Sequence, residues 1–300
     1  MPELRRALEA LGLAVRVGEP IARHGFWRIG GPADFLVEVP DAQTLARVRA
    51  LGAPILVLGK GSNLLVSDAG VRGITVVLGG AFRTSVVEHG LVEAGAGLPN
   101  TVLLQRLQKA GLGGLAPLAG VPGTIGGAIR MNAGTRLGEI SERVHSVELL
   151  LADGRIERVD AASLHFAYRT ALLPVDAIVT RAWFRVSSEG VDAERAAIAE
   201  HLAYRKATQP LELPSCGSVF KNPPGHSAGR LIESAGLKGT VSGGAQISEL
   251  HANFIVNRGD ASAADVVSLV RLAQDTVRER FAVTLEPEVH AAGDWPAPPF

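Results

Sequence analysis

Residues 110–129 read Ala110-Gly-Leu-Gly-Gly-Leu-Ala-Pro-Leu-Ala-Gly120-Val-Pro122-Gly123-Thr124-Ile125-Gly126-Gly127-Ala128-Ile129. The stretch carries no charge and is long enough to span a bilayer. Its seven glycines and two prolines, Pro117 and Pro122, decide against a membrane helix. They interrupt the helix, weaken its packing and leave backbone groups that lipid cannot satisfy. A buried glycine-rich loop region is expected instead, inside an α+β fold.

Working outward, the pattern alternates between helix and strand. Asp41 is placed to cap a helix with Leu45, Val48 and Leu51 on one face, closed by Gly52. Pro54 to Leu58 and Ile74 to Leu78 read as strands, and Thr84 to Ala94 as two short strands folded over Glu88-His89-Gly90. A helix is expected from Asn100 to Gly111, with Val102, Leu103, Leu107 and Ala110 inward. Downstream, Val147 to Leu151 and Ile156 to Val159 flank Ala152-Asp153-Gly154-Arg155, an Asp-Gly hairpin signature. Ile178 to Val186 is a further strand, and from about residue 190 helix dominates, at Ala193 to Lys206 and Ala228 to Ala235.

The last long helix carries the clearest signal. Ser262-x-x-Asp265 has the form of a capping box, and Val266, Val270, Ala273, Val277 and Phe281 recur at helical spacing. A final strand is expected over Val283 to Val289, followed by a loose proline-rich tail, Trp295 to Phe300. The shift toward helix suggests a domain boundary near residue 200.

Composition narrows the function. Thirty Lys and Arg balance thirty Asp and Glu, so no electrostatic attraction to nucleic acid is implied, and 47% apolar residues support a sizeable interior. Small molecules are the expected partners, with a monomer as the default state. The single cysteine, Cys216, can form neither an internal disulfide nor a cysteine-based zinc site, and no metal site is legible. The first residues lack the pattern of a secretory signal, so a cytoplasmic location is expected.

Two glycine-rich segments follow apolar elements: Gly59-Lys60-Gly61-Ser62-Asn63-Leu64 and Pro122-Gly123-Thr124-Ile125-Gly126-Gly127-Ala128. Glycine lets backbone N–H groups approach phosphate oxygens, and Ser62, Asn63 and Thr124 add side-chain donors. Taken singly, each segment is most simply a turn. Gly59-Lys-Gly-Ser62 lacks the order of a P-loop, and Gly95-Ala-Gly-Leu-Pro-Asn100 does not complete G-x-G-x-x-G, so neither a P-loop ATPase nor a Rossmann dehydrogenase is supported.

Together with further blocks, these segments resemble the UDP-N-acetylenolpyruvoylglucosamine reductase (MurB) family. The blocks are Trp27-Arg-Ile-Gly-Gly-Pro-Ala33, Gly59-x-Gly-Ser-Asn-Leu-Leu-Val66, Pro122 to Ala128 with Met131-Asn-Ala-Gly134, and Tyr168-Arg169. They continue with Arg205-Lys206-x-x-Gln209-Pro210, Gly217-Ser-Val-Phe-Lys-Asn-Pro223, Gly236-Leu-Lys-Gly239, Gly243-Gly-Ala245, His251-Ala-Asn-Phe-Ile-Val-Asn257 and Leu285-Glu-Pro-Glu-Val289. They run in order from about residue 20 to 290, which is far more specific than any one of them.

The resemblance implies a two-part FAD-binding unit of the vanillyl-alcohol-oxidase type, residues 1–78 and 79–200, followed by an α+β substrate-binding domain, 201–300. FAD would be held non-covalently, with the loops 59–64 and 122–128 around its pyrophosphate. NADPH would be the hydride donor, and UDP-N-acetylglucosamine enolpyruvate the substrate, in peptidoglycan precursor synthesis. Ser218 would be the proton donor, Arg169 would fork onto the substrate carboxylate, and a protonated Glu288 would stabilise charge spreading onto it. Lys206, Asn222 and His251 fall where the family contacts the diphosphate or the sugar.

Each residue also has a plainer reading: Ser218 as a turn serine, Arg169 as the partner of a carboxylate or a ring, and Glu288 on a solvated strand face with Glu286. The short stretch from Ala182 to Glu194 leaves no room for a substrate-covering loop, which resembles the loop-lacking subtype. Asn132-Ala-Gly-Thr-Arg-Leu-Gly138 and Tyr168-Arg-Thr-Ala171 depart from the usual family wording without removing a proposed catalytic group. Two other functions stay open: an FAD-dependent oxidase on the same scaffold, and a non-catalytic nucleotide-sugar or flavin-binding protein.

Overall fold

The computed structural model describes residues 2–300. By spatial proximity the chain groups into two compact units, both discontinuous in sequence. One comprises the residues up to Arg16 with Leu36–Gly59 and Ile74–Tyr204; the other comprises Val17–Phe35, Lys60–Gly73 and Arg205–Phe300.

The first unit contains helices α1 (Pro2–Ala10), α2 (Ala42–Arg49), α3 (Asn100–Lys109), α4 (Ile125–Arg130) and most of α5 (Val191–Thr208). α2 begins where Asp41 accepts the Thr44 N–H at 2.7 Å, and it buries Leu45 and Val48. An antiparallel sheet of five strands runs in the order Ile156–Asp160, Val144–Leu150, Ile178–Arg185, Leu91–Gly95, Ser85–Glu88. Its two outer turns use residues at positive φ, His89 and Gly90 in one and Gly154 in the other, as tight hairpins require. α4 lies against Ile178–Arg185 and buries Ile125, Ala128 and Ile129. α3 buries Leu103 and Leu107 as expected, but Ala110 is exposed, because the helix stops at Lys109 before that position completes its turn.

The second unit is organised around α7 (Ala263–Phe281), with α6 (Ala228–Ser234) beside it. The expected capping box is complete: Ser262 Oγ accepts the Asp265 N–H at 3.1 Å, and the Asp265 carboxylate accepts the Ser262 N–H at 2.9 Å. The Asp68 carboxylate adds a second cap, accepting the Ala263 and Ala264 N–H groups at 2.8 and 3.1 Å. Acceptors there satisfy orphan donors and oppose the helix dipole. Val266, Val270 and Val277 are buried with Trp27, Leu65 and Phe220. Full burial of such a side chain stabilises the fold by roughly 1.5–3 kcal/mol. Trp27 anchors a distant segment by donating its indole N–H to Ile255 O at 2.7 Å.

Three sequence expectations fail in this unit. Phe281 is exposed, since α7 ends at Ala282 in a left-handed conformation and its last turn projects past the core. Residues 283–289 do not form a regular strand. Pro287 has no N–H to contribute, and pairing there is a single bridge, Phe220 with Pro287; the strand falls at His290–Ala292, parallel to Leu64–Val66. The tail is docked, not loose: Arg271 donates to Pro299 O at 3.0 Å and Phe300 packs against the core around α7.

Among the described residues, no helix is long and apolar enough to cross a membrane. The stretch 110–129 instead holds a 3-10 turn, Ala116–Leu118, and the start of α4.

Candidate active site

The glycine segments are built for close approach. In the first unit, a Cβ on Gly59 would come within 2.8 Å of Thr124 Oγ1, and one on Gly126 within 3.0 Å of Ala96 Cβ. The Ile125 and Gly126 N–H groups are bonded to Leu98 O and Ala96 O at 3.0 and 2.9 Å, so these two do not point at a ligand. Gly127, in the first turn of α4, is exposed. Beside them Asn100 donates its backbone N–H to Gly123 O and its amide to Val121 O, while its buried Oδ1 has no hydrogen-bond partner. The exposed Gly59 and Gly127 leave this backbone open to a phosphate-bearing ligand, and that fits FAD.

In the second unit, Lys60 is exposed, and Gly61 takes φ +59° with its Cα side pressed on Gly25, where a Cβ would sit 2.8 Å from Gly25 Cα. No other residue fits without strain. Asn63 does something the sequence did not suggest: its Nδ2 donates to Glu288 O at 3.0 Å, and its own carbonyl accepts the His290 N–H at 3.0 Å.

The segment carrying Glu288 pairs in this unit with the residues that follow Ser218. The Glu288 N–H donates to Val219 O at 2.8 Å, and the Lys221 N–H to Glu286 O at 2.9 Å. On the opposite side of the Ser218 segment lies Asn253, which is buried. Its carbonyl accepts the Val219 N–H at 2.9 Å, its Oδ1 accepts the Phe220 N–H at 2.9 Å, and its Nδ2 donates to Phe220 O at 2.8 Å. The amide thus replaces a strand neighbour. From Asn253 through 219–221 and 286–288 to Asn63 runs one irregular ladder, with Ser218 and Glu288 both partly exposed on it. Glu286 and Glu288 differ despite their alternate spacing: Glu286 is exposed and pairs with Lys221 Nζ at 2.6 Å.

Arg169 belongs to the first unit. It sits at φ +58° in the turn between the strands His165–Ala167 and Thr170–Leu172. Non-glycine residues in this conformation are uncommon and are enriched where function constrains the backbone. Asn132, fully buried and also at positive φ, donates to Ala167 O at 3.0 Å and to Glu139 Oε2 at 2.7 Å. Glu139 Oε1 is 4.0 Å from Arg169 Nη1, and the Tyr168 ring is 5.0 Å from the guanidinium carbon. Both plain readings of Arg169 therefore have a partner. At 4.0 Å, however, the carboxylate is outside the forked contact of about 2.7–2.9 Å that a guanidinium makes with a bound anion.

Lys206 is exposed near the end of α5. Asn222 Oδ1 accepts the Ala228 N–H at 3.0 Å, at the start of α6. His251 is half-buried, accepts the Asn253 N–H on Nδ1 at 3.3 Å and meets Phe254 edge-on. Burial, with the nearby Lys238 charge, holds its pKa below the usual histidine value, so it is neutral at pH 7.

Cys216 is buried and bonds Gly61 O and Leu64 O at 3.4 and 3.6 Å. Burial pushes its thiol up to about 12, and the reactive thiolate is negligible at neutral pH. A disulfide reagent at pH 8 is expected to leave the folded protein unlabelled and to label one thiol per chain after denaturation. Rapid labelling of the native protein would contradict the buried placement.

Comparison with known proteins agrees with this organisation. Residues 38–160 match the FAD binding domain family, and residues 209–292 match the UDP-N-acetylenolpyruvoylglucosamine reductase C-terminal domain. The chain is 46% identical over 287 residues to UDP-N-acetylenolpyruvoylglucosamine reductase 2 of Symbiobacterium thermophilum, covering 94% of this chain and 93% of that protein. It is 41% identical over 300 residues to the reductase of Halalkalibacterium halodurans, covering 98% of this chain and all of that protein. The chain belongs to the UDP-N-acetylenolpyruvoylglucosamine reductase family. The crystal structure of the MurB reductase of Thermus caldophilus superposes with a TM-score of 0.84 at 40% identity, over 93% of this chain and 99% of that one. The family resemblance and the α+β class expected from the sequence are borne out. Asn253, Asn132 and Glu139 are what residue reading missed as site supports. An asparagine inside the apolar run Phe254 to Val256 and its flanks was the available signal, since a buried amide needs partners.

Proposed function

We propose that this protein is an FAD- and NADPH-dependent reductase of the enolpyruvyl group of UDP-N-acetylglucosamine enolpyruvate, forming UDP-N-acetylmuramate for peptidoglycan precursors. The observation that supports the proposal is the bond from the Glu288 N–H to the carbonyl of Val219, the residue after Ser218, inside the segment matched to the reductase C-terminal domain. When bound, FAD supplies a carrier that takes hydride from NADPH and delivers it to the enolpyruvyl methylene carbon.

The chain's own groups handle the charge and the proton. Arg169 forks onto the substrate carboxylate, where negative charge collects after hydride addition. Glu288, acting in its acid form, donates a hydrogen bond to the same group. Ser218 Oγ–H protonates the carbon next to the methylene and recovers its proton from solvent. Lys206 serves the diphosphate as a point charge, and Asn222 and His251 serve the uridine or sugar. The loops 59–64 and 122–128 hold the flavin. In role, residues 1–78 and 79–200 are the two flavin-binding parts and 201–300 the substrate-binding part.

The test is anaerobic NADPH oxidation by the FAD-loaded protein with and without the enolpyruvyl substrate. Many turnovers only in its presence support the proposal. One hydride taken and no further turnover would discard the reductase reading and leave a flavoprotein, for which oxygen and alcohols are the next oxidants and substrates to try.

A further inference from the structure

We infer that Asn63 is a positioning residue for Glu288, coupling the flavin loop to the group that meets the substrate carboxylate. The inference rests on the reductase reading and adds to it. Glu288 is held at both of its peptide groups: its N–H by Val219 O at 2.8 Å and its C=O by Asn63 Nδ2 at 3.0 Å. The first bond ties it to the Ser218 segment, and the second ties it to the flavin loop. Asn63 then closes a second link through its own carbonyl, which accepts the His290 N–H, so it brackets Val289 at two points.

The loop itself has little freedom to slip. Gly61 is pressed against Gly25 at a φ that other residues avoid, and the Gly61 and Leu64 carbonyls on either side of Asn63 share the single S–H of the buried Cys216. Cys216 is two residues before Ser218. The loop backbone therefore packs on the start of the Ser218 segment, and the Asn63 side chain bonds Glu288. The Asn63 amide spends one of its two N–H donors on the segment carrying the proposed catalytic carboxyl. With Asn63 intact, Glu288 leaves a Cα clamped from both sides. Without its amide, the bond to the Glu288 carbonyl is lost while the backbone link from Asn63 to His290 stays.

Asn63→Ala and Asn63→Asp, each loaded with FAD, test this. For Asn63→Ala, compared with wild type at equal bound FAD, the expected result is reoxidation by the enolpyruvyl substrate slowed by up to about 10²-fold, as misplacement of a reacting group costs, and slowed more than flavin reduction by NADPH is. Asn63→Asp can donate to Glu288 O only when its carboxyl is protonated. Its defect relative to wild type is expected to shrink as pH falls, while that of Asn63→Ala stays flat. Amide hydrogen exchange supplies a readout independent of activity: peptides covering 285–291 should exchange faster in Asn63→Ala, with α7 unchanged. Unchanged exchange in 285–291 would overturn the inference, and so would a defect that added FAD fully restores. Should wild type itself fail to turn over the enolpyruvyl substrate, the reductase reading falls, and the exchange experiment still decides the role of Asn63.

Discussion

Ser218→Ala is expected to lower the rate of substrate reduction by roughly 10²–10⁴-fold, the usual contribution of a positioned general acid, or about 3–5 kcal/mol of barrier. Flavin reduction by NADPH should change little, because that step needs no proton at the substrate carbon. Rapid mixing separates the two half-reactions: reduced flavin forms at the normal rate and then persists in the presence of the enolpyruvyl substrate. The fold should tolerate the change. Ser218 is partly exposed, and the segment is held by backbone bonds to Asn253 and Glu288 that the substitution leaves in place. Equal loss in both half-reactions would make Ser218 a structural turn serine and remove it from the chemistry.

Arg169→Ala is expected to lower kcat/KM by roughly 10²–10³-fold, comparable to deleting one donor from a charge-stabilising site. FAD content should be retained, since the flavin loops lie elsewhere in the sequence. The contact with Glu139 makes the comparison with Arg169→Lys informative. A lysine preserves the charge beside Glu139 but cannot fork onto a carboxylate, so substantial loss in the lysine variant supports carboxylate recognition. Near-normal kcat/KM in Arg169→Lys, or loss of flavin in Arg169→Ala, would instead leave the arginine as the partner of Glu139 and Tyr168.

The parts of the fold that were legible are those set by local chemistry. Asp41, Ser262 with Asp265, and the Asp-Gly turn at 153–154 each act within a few residues, and the structure has a cap or hairpin at all three. Buried periodicity placed α3 and most of α7 for the same reason. What escaped depends on partners far along the chain. Residues 283–289 carry a β-like pattern, yet Pro287 and the neighbouring segment 219–221 impose an extended, irregular pairing. The tail looked loose because proline-rich composition says nothing about Arg271, 28 residues before Pro299, which holds it.

The candidate site divides the same way. Glycine at 59, 61 and 126 was readable, because only glycine permits such approach. The use of Asn63 for Glu288, 225 residues away, was not readable. Nor was the buried amide of Asn253 beside Phe220, which a sequence presents only as a polar residue in an apolar run. Arg169 and Glu139 are 30 positions apart, and their approach is set by the Asn132 bonds, which no local spacing encodes.

The composition of the second unit also governs when it can form. Trp27 is locked to Ile255 and Asn257, and α7 begins on the carboxylate of Asp68. A ribosome therefore delivers these opening pieces 195 to 230 residues before the pieces they pair with. During that interval Trp27 and its apolar neighbours have no native partners, and the long loops to be closed make assembly slow. A 205–300 fragment, which lacks residues 17–35 and 60–73 of the same unit, is expected not to fold alone, and its circular dichroism would check this. An adduct or truncation near residue 27 would be felt at the other end of the chain.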